Sequence, residues 1–114
     1  MDIVLALAAP IVLKAGLLVA GAEATPIPSG MVVIEGDRIR GVGAHLPVPD
    51  GASLLDLGGL TLVPGLIDAH SHLCLDVLAG NEGEQVKAPD VELVLRVARH
   101  GARDLEAGTT TMRV

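Results

Sequence analysis

Val63-Pro64-Gly65-Leu66-Ile67-Asp68-Ala69-His70-Ser71-His72-Leu73 turns at Pro-Gly, continues in two large aliphatic residues, and ends on two histidines one residue apart. Pro-Gly punctuates a chain, and the apolar pair after it opens a strand. If the strand is extended through His72, residues 68, 70 and 72 point to one side. The two imidazoles then stand about 6.5–7 Å apart along the strand, and their rings can converge on one ion between them. Neutral imidazole suits zinc and its transition-metal neighbours, so the pair points to a metal more firmly than to which metal. Asp68, one pleat deeper, is placed to orient a ligand. Spacing alone leaves open the plainer reading of two solvated or packed imidazoles. A catalytic zinc takes about three protein ligands, and no third one is evident. His100 falls on the polar side of a helix, where solvent is expected to hold it, and His45 lies before Pro47 in a different part of the chain. Asp76, Glu82 and Glu84 read as surface residues of a loop.

C-terminal to this stretch, a loop rich in Gly, Asn and Glu covers about residues 79–88. Val91, Val94, Leu95, Ala98, Ala102 and Leu105 then recur at helical spacing and predict an amphipathic helix from about Pro89 to Ala107. Its stripe is expected to bury against the strands and to leave Arg96, Arg99 and His100 wet. Pro89 and Asp90 suit the helix start, Gly108 the end, and Glu92 with Arg96 a favourable pair four apart. Thr109 to Val114 is rich in β-branched residues and starts a second strand. Strand, loop, helix and strand make a βαβ unit with parallel strands.

N-terminal to it, short apolar runs alternate with Gly, Pro and Asp. Ile11-Val12-Leu13 and Leu17-Leu18-Val19 flank Lys14-Ala15-Gly16, which predicts a tight hairpin. Met31 to Ile34 and Ile39 to Val42 flank Glu35-Gly36-Asp37-Arg38, with Gly36 at the first central position of a second hairpin. Ser53 to Leu57 and Leu60 to Val63 flank Gly58-Gly59, a third reversal. Six short strands make a small antiparallel module, with Pro26, Pro28, Pro47 and Pro49 in its longer connections. The division falls at residues 1–64 and 65–114. Between Ile3 and Ala22 the only charge is Lys14, which is long enough for a membrane span. Asp2 in place of a basic leader, with Pro10, Lys14 and Gly16 interrupting the run, favours strands and a cytoplasmic chain; an exported or membrane-associated chain is the competing reading.

The chain has 114 residues and a formal charge of −6, with 50% hydrophobic residues and no Phe, Tyr or Trp. This excludes a charge-solvated disordered tail. With no aromatic platform and only two lysines, Lys14 and Lys87, nucleic acid is excluded as a partner. One cysteine, Cys74, forms neither an internal disulfide nor a paired-cysteine metal site, and reads as a small packed residue.

The stretch from Val63 to Leu73 resembles the strand-one signature of the metal-dependent amidohydrolases, Pro-Gly-hydrophobic-Ile-Asp-x-His-x-His. Asp56 to Leu62, Ile34 to Ile39 and Ala102 to Arg113 resemble neighbouring parts of the same family, especially its imidazolonepropionase-like and Xaa-Pro dipeptidase-like branch. The resemblance implies an α/β chain: part of an N-terminal β-sandwich, then the first βαβ unit of a truncated (β/α)8 barrel. It implies that His70 and His72 bind a divalent metal, zinc by expectation, with one or two metals in the intact parent. The implied activity is hydrolysis of carbon–nitrogen bonds in small amides or cyclic amides. Only the first two metal ligands have counterparts here, so the 114 residues alone are expected to be inactive and to self-associate or need a complementary chain. The alternatives are a non-enzymatic or split-enzyme module and a dipeptidase-like hydrolase.

Overall fold

The computed structural model describes residues 9–21, 24–76 and 80–114; the side chains of Glu82 and Glu84 lie outside the description, as does most of the Ile3–Pro10 half of the apolar run. It divides into two compact units, Met1–Pro64 and Gly65–Val114. Among the described residues no helix is long and apolar enough to cross a membrane. The described second half of the apolar run forms strands instead.

In the first unit β1 (Ile11–Lys14), β4 (Met31–Glu35), β5 (Arg38–Gly43) and β6 (Ser53–Asp56) form one sheet in the order β5-β4-β1-β6. A second sheet has the order β3-β2-β7, from β2 (Leu17–Leu18), β3 (Ile27–Pro28) and β7 (Thr61–Leu62). The β4–β5 hairpin forms around Gly36 and Asp37 as the sequence suggests, with its strands antiparallel.

The other two expected reversals are not hairpins. β1 and β2 lie in different sheets, and so do β6 and β7. β6 runs parallel to β1, with Ile11 opposite Ser53, and β7 runs parallel to β2, with Leu17 opposite Thr61. Two chain segments therefore cross from sheet to sheet side by side. Leu57 N–H donates to the Lys14 carbonyl at 2.8 Å before the crossing, and Leu17 N–H to the Leu60 carbonyl at 3.3 Å after it. The Gly-containing segments are neither the tight hairpin nor the reversal expected: they carry the chain into the other sheet, and their backbone partners come from neighbouring crossings rather than from the strand just left. The module is thus mixed rather than purely antiparallel. Pro28 lies in β3 rather than in a connection, and it is tolerated there because β3 is an edge strand.

Burial follows from the two layers. Val12, Ala15, Leu18, Val32 and Val33 are 0–7% exposed and form the core. All are small or medium aliphatics, which fits a thin sandwich built without aromatic residues.

In the second unit β8 (Leu66–Asp68) and β9 (Thr109–Met112) are parallel, joined through α1 (Glu82–Gln85) and α2 (Asp90–Glu106). The βαβ unit is present, and α1 adds a helical turn inside the expected loop. α2 begins after Pro89 and ends at Ala107, where Gly108 takes a φ of 100° and continues into β9. The expected buried face of α2 is wrong. Val91, Val94, Leu95 and Leu105 are 62–69% exposed, while Leu93, Arg96, His100, Gly101 and Asp104, on nearly the opposite face, are half-buried. The β8–β9 ribbon is too narrow to cover a long apolar stripe. The polar groups of Arg96 and His100 find hydrogen-bond partners in the segment after β8 and Gln85, and this turns their face inward.

Candidate metal centre

β8 ends at Asp68, and the chain bends immediately at Ala69 and His70. The Asp68 carboxylate causes the bend: its Oδ1 accepts the His70 backbone N–H at 3.0 Å, a local side-chain bond that competes with strand continuation. The strand therefore does not extend through His72, and Asp68 holds backbone rather than an imidazole ring. Arg113 N–H donates to the Asp68 carbonyl and Ser71 N–H to the Arg113 carbonyl, both at 2.9 Å, so the bend stays tied to the chain leaving β9.

The bend brings the rings together. His70 Nε2 and His72 Nε2 are 3.1 Å apart, with ring centroids at 4.7 Å and ring planes at 90°. With both rings neutral, one Nε2 donates and the other accepts. Both side chains are exposed. They line an open cleft of about 430 Å³ together with Asp76, His100, Arg103 and Asp104.

His100 lines this cleft, and Gln85 bonds to the backbone of Asp76 at its edge. His100, expected to be solvated, is half-buried, and its Nδ1 lies 2.7 Å from the Leu73 carbonyl. The signal in the sequence was the neighbouring Gly101: Leu73 Cδ1 lies 4.0 Å from where a Cβ at residue 101 would stand, so the segment after the histidines packs on the helix there. Gln85 is only 9% exposed and makes four hydrogen bonds through its amide. Nothing in its local sequence distinguishes it. His45 is exposed in the first unit, and Cys74 is half-buried and free. Among the described residues no group of three or more His, Cys, Asp or Glu side chains is arranged to hold a metal.

An imidazolonepropionase from Streptomyces griseus subsp. griseus is 35% identical over 107 residues, spanning 75% of this chain and 27% of that protein. A solved amidohydrolase superposes with a TM-score of 0.77 at 27% identity, covering 91% of this chain and 25% of that one. A prolidase complexed with N-methylphosphonate-L-proline gives the same TM-score, 0.77, at 28% identity, with 91% and 25% covered. The chain is a relative of the amidohydrolases. No family model matches it. It spans about a quarter of the length of these relatives.

An amidohydrolase relative implies an enzyme class and a metal, and the histidine pair can be tested for fit. Two nitrogens bound to one tetrahedral zinc at ordinary lengths stand about 3.3–3.4 Å apart. The observed 3.1 Å is within a few tenths of an ångström of that spacing. The pair fits two positions of such a site in this amidohydrolase relative.

Proposed function

We propose that His70 and His72 are the paired metal-binding imidazoles of a metal-dependent amidohydrolase that hydrolyses carbon–nitrogen bonds in small amides or cyclic amides. The 3.1 Å approach of the two Nε2 atoms at the carboxyl end of β8 carries this reading. In a (β/α)8 barrel the chemistry sits at the carboxyl ends of the strands, and the parallel β8–α2–β9 unit supports that architecture. A divalent metal, zinc by expectation, supplies a Lewis acid for the scissile carbonyl and acidifies a water molecule. Asp68 holds the bend at which the two rings meet. Two imidazoles fall short of the roughly three protein ligands of a catalytic zinc, so the 114 residues by themselves are expected to bind metal weakly and to hydrolyse nothing.

A dipeptide substrate is the second reading, supported by the similarity to the prolidase. The test is a cobalt titration followed by visible absorption, on the chain and on His70→Ala/His72→Ala, with zinc-supplemented assays of amides, cyclic amides and Xaa-Pro dipeptides. Cobalt binding that the double variant loses is expected, with no turnover. Equal affinity of the two proteins removes the ligand role, and turnover of any substrate by the chain alone removes the account of an incomplete site.

A further inference from the structure

The four residues after the histidine pair, Leu73–Asp76, are held at both ends by side chains from the helices. Leu75 N–H donates to the His72 carbonyl at 2.9 Å, closing a turn on itself. At its first step, His100 Nδ1 lies 2.7 Å from the Leu73 carbonyl, so this ring nitrogen carries the proton and donates. At its last step, Gln85 pairs with the Asp76 backbone as a strand would. Gln85 Oε1 accepts the Asp76 N–H at 2.6 Å, and Gln85 Nε2 donates to the Asp76 carbonyl at 2.9 Å. The same Nε2 donates to the Gly80 carbonyl at 2.6 Å, and Arg96 Nη1 donates to Oε1 at 3.3 Å.

Both amide protons and both lone-pair positions of Gln85 are thus used, on a side chain from a residue 9% exposed. A satisfied, buried amide is rigid, and it fails as a unit when one partner is removed. Arg96 is itself held by Glu92 one helical turn earlier, which fixes the chain of contacts to α2. These side-chain bonds are additional to the backbone bonding of the helices and strands. What they determine is the path of residues 73–76, and hence the direction in which the chain leaves His72.

We propose that His100 and Gln85 are positioning residues: together they latch the Leu73–Asp76 segment so that the His72 ring is held against His70. The proposal rests on the metal role given above for the pair, but it also predicts a property of the metal-free chain. Nuclear Overhauser contacts between the His70 and His72 ring protons read the latch without metal, and cobalt affinity reads it with metal. The proteins compared are the chain, His100→Leu, His100→Asn, Gln85→Met and His70→Ala/His72→Ala, each checked for helix by circular dichroism.

An asparagine amide can donate from nearly the position of Nδ1, whereas leucine keeps bulk without a donor. The expected result is loss of the ring–ring contact and about a three- to tenfold weaker cobalt affinity in His100→Leu and Gln85→Met, the scale of one lost hydrogen bond. His100→Asn is expected to retain both properties within about twofold. Should His100→Leu lose its helical spectrum, His100→Asn against the unmodified chain decides: retained contact supports the donor role, and lost contact overturns it. Ring contact and cobalt affinity unchanged in both His100→Leu and Gln85→Met overturn the latch. Cobalt affinity unchanged in His70→Ala/His72→Ala, with the ring contact still dependent on His100 and Gln85, overturns the metal role and leaves the latch standing.

Discussion

A Cβ built on Gly65 would stand 2.0 Å from Thr110 Oγ1 and 2.7 Å from Thr110 Cβ, so the two strands of the βαβ unit meet through the absence of a side chain. Gly65→Ala is therefore expected to destabilise the second unit by about 1–3 kcal/mol, the usual cost of forced overpacking. Gly83→Ala is the control, because its added Cβ meets nothing within 4 Å and residue 83 is helical; it is expected to leave stability unchanged or raise it by up to about 1 kcal/mol. Urea unfolding monitored by circular dichroism separates the two. At this scale the histidine pair was legible because alternation places residues two apart on one side. The bend was not, because it comes from the Asp68 carboxylate bonding to backbone two residues on, a choice that any Asp can make or decline. Gln85 was hidden for a related reason. A single amide at the end of a one-turn helix carries no periodicity, and its value comes from partners at Asp76, Gly80 and Arg96.

The elements were easier to read than their partners. α2 falls within a residue of its expected limits because its spacing, its start at Pro89 and its stop at Gly108 are all local. Gly108 holds a φ of 100°, which an L side chain rarely adopts. Gly108→Ala is expected to cost about 1–2 kcal/mol and to fray the last turn before β9, measurable as a lower thermal midpoint and faster amide exchange at residues 104–107. The β4–β5 hairpin was equally legible, since a two-residue turn and two flanking strands are all adjacent. The crossings at residues 15–16 and 57–60 were not. A Gly-rich segment looks the same whether the chain returns along its own sheet or enters another, and the backbone bonds that decide come from distant segments, Ser29–Gly30 and Leu57–Leu60. The inward face of α2 departs from its apolar stripe because Arg96 and His100, which carry hydrogen bonds to Gln85 and to the Leu73 carbonyl, lie on the face turned inward.

For the whole molecule, what remains uncovered matters as much as what is packed. Leu66 and Ile67 are 58% and 74% exposed, and Val91, Val94, Leu95 and Leu105 add an apolar helix face. Surfaces of this kind associate in water. The 114-residue chain is expected to show a mass that rises with concentration in analytical ultracentrifugation, and Val91→Glu/Leu95→Glu to lower it while leaving the helical spectrum intact. A concentration-independent monomer mass for the unmodified chain contradicts this. The side-by-side crossings of the first unit also impose an order of assembly. β4 and β5 can close within microseconds because their contacts are local. β1 completes its sheet only when Ser53 to Asp56 arrive, and β2 only when Thr61 and Leu62 arrive. On a ribosome the earliest strands of this chain must therefore wait, one side unpaired, until the last strands of the module have emerged. Substitutions in β6 should accordingly speed unfolding more than they slow folding, with the β4–β5 hairpin as the nucleus on which the rest condenses.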